Sequence, residues 1–522
     1  MKKFDFESLL QIKSLNGRSE KDKINIVASL ISYSYKASNI SGLEHALMLS
    51  QQVNILDLSL KNQVYHHYHA SLGWYYKGLL IRRSTKTSWA FQTEELSNEI
   101  FHLRKAISLP GFKNLPNKSK FRIYTNLGNT FSTVGRFIEA HEYWNKILDI
   151  DDDFSMTLGN KGRILHNYSW YLFNDSWRKI LLAFSYNNLG KALQKKENIE
   201  ATETVEHFEQ ILKKTEPYVA EKYRSTLPNL NTLKLKGTKK LNAYRKWASK
   251  NGLFINPLND ICTGSIACSD GLTLPPISIE HNTPPTSILL FNQIKQEFAT
   301  ARFTFYKATK NRRPHYSDID VLLSEADDPT LLIYNPDTYS YNIELLKITF
   351  RVSYSILDKI AYLLNDYLKL NHYRNDVDFR NLWYIDKNKD KKLKPFFEKS
   401  NNWPLRGLYW LSKDFQEIEG DYNEVIEPDA KEIAMIRNFI EHRAFRVFDR
   451  LPPNDIDNSK KSQSYIITRK EFEQKTLKVL KLTRAAIMYL SLAINQEEKK
   501  KEHSKAKSGT INMDAIPHSN KK

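Results

Sequence analysis

Arg437, Asn438 and His442 lie within one hexapeptide near the end of this 522-residue chain. Arginine carries a permanent positive charge and a planar fork of donors that suits phosphate oxygens. Histidine exchanges a proton near neutral pH. Together, and with no metal ligand nearby in the sequence, these side chains supply much of what is needed to cleave RNA beside a 2′-hydroxyl.

The spacing of the three residues supports this chemistry but also permits a plainer role. A helix turns about 100° per residue, so Asn438 and His442 share a face while Arg437 lies about 140° from His442. Arg437 and Glu441 are four residues apart and could form an exposed ion pair, which stabilises a helix by about 0.3–0.5 kcal/mol. Catalysis and a surface ion pair are therefore both open.

The flanking residues predict a helix that holds the three polar side chains beside a core. The segment 429–432, directly after Pro428, is typical of a helix N-terminus. A buried stripe at helical spacing is predicted for Ile433, Ile436, Ile440 and Ala444. A basic end of the same helix is predicted from Arg443, Arg446 and Arg450.

Composition indicates a large, nearly all-α protein. A chain of 522 residues exceeds one ordinary core, so we expect two or three domains. Glycine and proline are sparse, at 17 and 18, and strand-like alternation is hard to find. The net charge of +19 favours a polyanionic partner such as RNA, although a generally lysine-rich surface would give the same value.

One segment concentrates this charge. From Lys222 to Asn259 there is no acidic residue, while lysines and arginines alternate with aromatic residues. Such a pattern suits a surface that follows a phosphate backbone and stacks bases, but the aromatic residues could equally be the core of a linker helix. With the basic end of the motif helix, the candidate RNA contacts are Lys239, Lys240, Arg245, Lys246, Arg443 and Arg446.

Neither a metal site nor a membrane segment is expected. Cys262 and Cys268 have no zinc or redox spacing, and the histidines near position 67 lack companion ligands. We therefore predict no metal and no cofactor. No stretch reaches transmembrane length, and acidic residues interrupt any apolar run after the N-terminus, so we expect a cytoplasmic protein without a membrane partner.

The first half contains a degenerate repeat. Tyr124, Leu127, Gly128 and Phe131, followed by Gly135, Ala140 and Trp144, match the tetratricopeptide pattern position by position. Weaker matches occur around residues 72–76, 158–165 and 186–193. We predict tetratricopeptide-like helical repeats over residues 1–225, whose surface suits a possible protein partner.

The second half predicts a helical bundle. Prolines break residues 226–285 into a basic, ordered connector, and long apolar helical patterns return in residues 286–497. The last of these opens with a capping box, Thr468 and Glu471. Four helices with a loop-rich insertion describe a four-helix bundle. The lysine-rich residues 498–522 have no apolar periodicity and predict a disordered tail.

An arginine followed by a polar residue, with a histidine after four intervening positions, resembles the motif of the HEPN superfamily, all-helical proteins rich in metal-independent RNases. The segments 316–320 and 355–361, the latter followed by Asn365 and Tyr367, are similar to the bacterial HEPN family fused to tetratricopeptide repeats. The resemblance implies an endoribonuclease of a bacterial defence or toxin system, active in abortive infection against phage. Arg437, Asn438 and His442 carry over as its catalytic residues.

The resemblance also implies a mechanism and an assembly. The RNA 2′-hydroxyl would attack its own phosphodiester, with His442 moving the proton and Arg437 holding the charge that develops on the phosphate. HEPN domains characteristically pair, which implies a homodimer through the bundle, with the repeats sensing a trigger. The alternative is a non-catalytic tetratricopeptide adaptor whose bundle only dimerises or binds RNA or nucleotide. An NTP-dependent enzyme is disfavoured because no phosphate-cradling glycine loop is present.

Overall fold

The computed structural model describes residues 5–85, 90–199, 201–278, 285–310, 341–373, 376–386, 392–415, 430–449, 462–503 and 510–511. It confirms the predicted all-α class, because eighteen α-helices and only four short strands lie in these ranges. The chain divides into two compact units. The first comprises residues 1–164, 188–214 and 393–431, and the second comprises 165–187, 215–392 and 432–522.

The first unit is built from helices joined by short turns. Its N-terminal helices are α1 (Phe6–Leu10), α2 (Glu20–Lys36), α3 (Ile40–Gln51), α4 (Leu60–Thr85), α5 (Glu94–Ser108), α6 (Asn117–Thr133) and α7 (Phe137–Leu148). Helices α8 (Ser155–Tyr171), α9 (Asp175–Gln194) and α10 (Thr202–Thr215) each have residues in both units. The first unit also holds the short α15 (Pro395–Glu398) and α16 (Trp403–Ser412).

The repeat pattern of residues 124–144 reflects close packing between α6 and α7. A Cβ atom at Gly128 would collide with the indole of Trp144 on α7, so only glycine permits this approach. Gly135, in the turn between the two helices, has a φ of +90°. This left-handed conformation is rare for other residues. The pattern therefore identified positions that this helix pair requires.

The loop-rich insertion contains a buried helix that its composition did not reveal. All ten residues of α16 are buried, and Asn402 caps the helix by accepting a hydrogen bond from the Leu405 N–H at 3.0 Å. Just beyond the helix, Asp414 is fully buried and pairs with Arg104 at 2.6 Å and with Arg136 at 2.7 Å. These partners lie about 300 positions earlier in the chain, so local sequence patterns could not indicate them.

A group of histidines should make the first unit sensitive to acid. His67 and His102 share a hydrogen bond of 2.9 Å between their Nδ1 atoms, and His66 is also buried. Burial lowers the pKa of His66 to about 4 and that of His102 to about 3. The unfolded chain, with ordinary histidines near 6.5, therefore binds more protons below pH 6.5. Stability should fall as pH falls through this range, by about 1 kcal/mol per histidine between pH 6.5 and 5.5.

Hydrogen exchange of α4 peptides, measured at pH 7.5 and 5.5, tests this expectation. Peptides covering 480–494 in the second unit, which contain no histidine, give the reference for the intrinsic effect of pH on exchange. We expect α4 to lose protection relative to that reference. Equal protection at both pH values after this correction would contradict the expectation.

The second unit contains the connector and the long helices of the predicted bundle, whereas residues 393–431 of the predicted bundle belong to the first unit. Its elements are α11 (Lys222–Ser225), α12 (Lys239–Lys250), β1 (Ile277–Ser278), α13 (Thr286–Lys310), α14 (Tyr341–Tyr367), α17 (Ala430–His442), β2 (Ala444–Phe448), β3 (Ser464–Thr468), α18 (Arg469–His503) and β4 (Thr510–Ile511). The first two residues of α17, Ala430 and Lys431, are grouped with the first unit. Helix α18 extends beyond residue 497, where a disordered tail was predicted to start.

Two buried arginines tie the connector to the bundle helices. Arg302 on α13 donates to both carboxylate oxygens of Asp270 at 2.7 Å. Arg484 on α18 donates to Asp260 at 2.6 Å and to the carbonyl oxygen of Phe254 at 2.6 Å. Buried charges of this kind require their partners, so the connector packs as part of the same unit as the bundle.

A parallel strand pair follows the motif helix, where the sequence predicted more helix. Strand β2 pairs with β3 in a register that joins Ala444 to Ser464 and Phe448 to Thr468. The predicted basic helix end is therefore wrong, because Arg446 lies on β2 and Arg443 lies between the helix and the strand. The aromatic rings of Phe445, Tyr465 and Phe472 pack together and favour the strand.

The predicted start of α18 is confirmed. Thr468 Oγ1 accepts from the Glu471 N–H at 3.2 Å, and Glu471 Oε2 accepts from the Thr468 N–H at 3.2 Å. This reciprocal pair is a capping box, which satisfies two backbone donors at the helix N-terminus. It fixes the boundary at which β3 ends and α18, the last bundle helix, begins.

Candidate functional site

Helix α17 presents one apolar side to the core and carries the polar motif beside it. Ile433, Ala434, Ile436 and Phe439 are buried, whereas Ile440 is half-buried. Ala444 is exposed, so the predicted stripe stops before β2. The predicted cap at 428–429 lies outside the described residues. The helix is thus anchored by its apolar side and ends at His442.

Glu432, in the first turn of α17, fixes the orientation of the helix. Its Oε1 accepts a hydrogen bond from the Tyr465 hydroxyl of β3 at 2.7 Å. Its Oε2 pairs with the Lys475 ammonium of α18 at 2.6 Å. These contacts join α17 to two neighbouring elements, so they set the direction in which the motif residues point.

Arg437 turns towards α14 and away from Glu441. Its guanidinium carbon lies 5.0 Å from the ring centroid of Tyr354, in cation–π geometry. Tyr354 is itself buried. In the ranges that the structure describes, no ion pair joins Arg437 to Glu441. The plainer role considered for the arginine therefore does not account for its position.

Asp358, one helical turn after Tyr354, adds a carboxyl group to the surroundings of Arg437. Its Oδ1 accepts from the Phe379 N–H at 3.1 Å. Burial raises the pKa of Asp358, and the charge of Asp378 acts in the same direction. The Phe379 N–H and the charges of Arg437 and Arg380 oppose this shift of the pKa. The motif arginine thus interacts with a carboxyl group whose protonated form is favoured by its surroundings.

Asn438 and His442 are exposed on the outer side of α17. Among the described residues, neither side chain has a hydrogen-bond partner. Helix geometry separates the Cα atoms of Arg437 and His442 by about 8–9 Å and turns them about 140° apart. The structure of one chain therefore leaves Asn438 and His442 open to a ligand but does not bring them onto the same side of the helix as Arg437.

The six candidate RNA contacts lie in the second unit, but they are not equally available. Lys239, Lys240 and Lys246 are exposed on α12. Arg245 is half-buried and donates to Asn242 Oδ1 at 3.2 Å and to the carbonyl oxygen of Lys236. Three lysines on one helix are therefore the clearest sites for phosphate contact.

Arg443 and Arg446 each lie against an aromatic ring of their own segment. The guanidinium carbon of Arg443 is 5.4 Å from the Phe439 ring centroid, and that of Arg446 is 5.2 Å from the Phe448 ring centroid. Arg443 is exposed and Arg446 is half-buried. Both are held close to the end of α17, on the segment that follows His442.

Sequence reasoning did not identify Tyr354 and Asp358 as neighbours of the motif. The resemblance of segment 355–361 to the HEPN family was the sequence feature that could have pointed to Asp358. The acid-free segment 222–259 contains both core and surface residues. Tyr244 and Phe254 are core residues, while the lysines of α12 are exposed.

Two further features of the described residues bear on the site. No group of three His, Cys, Asp or Glu side chains among them is arranged to hold a metal ion. None of their helices is long and apolar enough to cross a membrane.

Comparison with known protein families gives a match in the second half of the chain. The model of a family described as LA2681-like HEPN matches residues 278–497, which include α13, α14, α17 and most of α18. No curated protein and no solved structure matches the chain.

Proposed function

Because residues 278–497 are an HEPN domain similar to the LA2681-like family, we propose that this chain is a metal-independent endoribonuclease. The observation that carries the proposal is the placement of the motif on α17. Arg437 is held by Tyr354 near Asp358, while Asn438 and His442 remain exposed. A motif used only for an exposed helical ion pair would not require this arrangement.

The proposed reaction is an intramolecular transesterification. The 2′-oxygen attacks phosphorus, the bond from phosphorus to the 5′-oxygen breaks, and a 2′,3′-cyclic phosphate and a 5′-hydroxyl result. An imidazole takes the proton from the 2′-hydroxyl, and an acid returns a proton to the leaving 5′-oxygen. The arginine fork stabilises the charge that develops on the non-bridging oxygens. Asn438, one turn before His442, orients the imidazole or binds phosphate.

We propose that two chains combine to form the site. The motif of one chain offers one histidine, whereas the reaction needs a base and an acid. Arg437 also faces a different side of α17 from His442. Pairing through the bundle would let the histidine of one chain act beside the motif of the other. Sedimentation velocity of the full chain should show a dimer at micromolar concentration. A monomer over that range would remove the shared site from the proposal.

The main alternative is an adaptor whose HEPN domain binds RNA or nucleotide without cutting. The observation that favours it is the half-buried position of Arg437 against Tyr354, which a purely structural arginine would also adopt. Whether the chain is a ribonuclease or an adaptor, the first unit would hold a partner or sense a trigger. We also propose, on the basis of the family resemblance, a role in bacterial defence against phage.

Expression in bacteria separates the two functions. We expect the wild type to fragment cellular RNA and slow growth, and we expect His442→Ala to do neither at the same protein level. Equal toxicity and equal RNA loss in both strains would contradict the catalytic role. Intact RNA in both strains would favour the adaptor.

RNA binding should also depend on the exposed lysines of α12. Replacing Lys239, Lys240 and Lys246 with glutamine should reduce the log–log salt slope of single-stranded RNA binding by about 2, because each phosphate contact contributes about 0.7. A matched control replaces Lys13, Lys21 and Lys36, which are exposed in the first unit and change the net charge equally. An identical slope change in both variants would assign the effect to overall charge.

A further inference from the structure

A cleft of about 680 Å³ lies in the second unit where the end of α13 meets the start of α18. Trp247 of α12 and Phe305 and Tyr306 of α13 provide its aromatic lining. Lys310, Arg469 and Lys470 provide its cations. The site described above does not include any of these residues, and the cleft combines aromatic rings with cations outside the motif.

The aromatic residues form a surface suited to a planar ring. Trp247 is half-buried, and its ring centroid lies 5.1 Å from that of Tyr306 and 6.0 Å from that of Phe305. These contacts hold the indole in place, and the same indole also lines the cleft. A nucleobase stacked on such a surface gains about 1–3 kcal/mol whatever its identity.

The charges around the aromatic residues favour a phosphate. The Lys310 ammonium lies 5.8 Å from the Tyr306 ring centroid, and Lys310 and Lys470 are both exposed. Two carboxylates also line the cleft, but Glu473 is paired with Arg469 at 3.0 Å, which leaves Asp449 as the other acidic group. The wall formed by α12 belongs to the acid-free segment 222–259.

We propose that this cleft holds one nucleotide of the RNA, with its base against Trp247 and Tyr306 and its phosphate at Lys310 and Lys470. The inference rests on the proposed ribonuclease function and names where the substrate is held. Asp449 at the cleft follows His442 by seven residues, and the intervening strand places the two at most about 23 Å apart. A single RNA strand of several nucleotides is therefore long enough to contact both the cleft and the motif.

Binding measurements on the full chain test the proposal. His442→Ala is introduced throughout so that the RNA stays intact, and fluorescence anisotropy reports affinity. We expect Trp247→Leu to weaken binding of a short labelled RNA about tenfold, which corresponds to about 1.4 kcal/mol. The affinity of the Trp247→Leu variant for an abasic ribose–phosphate chain of equal length should equal that of the parent. An equal effect on both ligands, or none on the RNA, would overturn the proposal.

Phe303→Leu is the matched control. Phe303 belongs to the same aromatic group, with its ring centroid 5.1 Å from that of Tyr244, but it is 41% exposed and does not line the cleft. We expect this variant to bind RNA like the parent. A loss equal to that of Trp247→Leu would show a general effect of aromatic packing and would contradict the assignment.

Photochemical cross-linking gives a test that does not depend on a folded Trp247 variant. RNA containing 5-iodouridine, irradiated with the His442→Ala chain, should attach to the peptide that carries Trp247 or Tyr306. Attachment only to other peptides would overturn the proposal. Free AMP or UMP should compete weakly, and competition as strong as that of the RNA would assign the cleft to a free nucleotide instead.

These outcomes are separate from those of the proposed reaction. If RNA cross-links at Trp247 but the wild type never cuts RNA, the cleft proposal is supported and the ribonuclease proposal is contradicted. If cleavage disappears in His442→Ala but Trp247→Leu binds RNA with unaltered affinity, the ribonuclease proposal is supported and the cleft proposal is contradicted.

Discussion

Replacing His442 with alanine should lower the rate of RNA cleavage by about 10²–10⁴-fold, because proton transfer is removed from the transition state. The side chain is exposed and has no partner among the described residues, so its loss should change stability by less than about 0.5 kcal/mol. Single-turnover cleavage and thermal unfolding of the purified chain measure the two effects. Cleavage at the wild-type rate by the variant would contradict the assignment.

Arg437→Ala should reduce the rate over the same range of about 10²–10⁴-fold, because the charge on the phosphate loses its fork of donors. This variant also loses the packing on Tyr354, so a stability cost of about 1 kcal/mol is expected. Arg437→Lys should remain poor, since an ammonium is a point charge. Glu441→Gln is the matched control, because no ion pair joins Glu441 to Arg437 among the described residues, and it should cut RNA normally.

Asp414→Asn should destabilise the first unit by about 3–5 kcal/mol, because it removes a buried carboxylate that pairs with two buried arginines. Burial alone would raise the pKa of Asp414, but Arg104 and Arg136 hold it far below its ordinary range. The carboxylate is therefore ionised in the folded chain, and its loss cannot be offset by water.

The control for Asp414 is Asp153→Asn in the same unit. Asp153 pairs with Lys195 at the surface, where both side chains are nearly half exposed, so its loss should cost less than about 1 kcal/mol. Hydrogen exchange of peptides from α5 and α6 reports the first unit alone. Equal protection in the Asp414 and Asp153 variants would show that the buried network does not hold this unit together.

The features that could be predicted from the sequence are those encoded by local patterns. Apolar spacing located α13 and α14, the capping box located the start of α18, and Gly128 marked a close helix contact. The HEPN resemblance began from three residues on one helix, and the family match over 278–497 supports it.

The features that were missed depend on distant partners. Strand β2 has only five residues, and its Arg446 follows Arg443 at a spacing that also suits a helix, so its pairing with β3 had no local signal. Helix α16 is buried, and the nearby Asp414 pairs with Arg104 and Arg136, which lie far away in the sequence. The contact of Arg437 with Tyr354 likewise joins helices far apart in the sequence, which spacing alone cannot indicate.

The most direct test of the central claim is the identity of the RNA ends produced by the purified full chain in EDTA. We expect 2′,3′-cyclic phosphate and 5′-hydroxyl ends by mass spectrometry, formed by the wild type and absent with His442→Ala. Cleavage that requires magnesium, that leaves 5′-phosphate ends, or that proceeds equally in His442→Ala would contradict the claim.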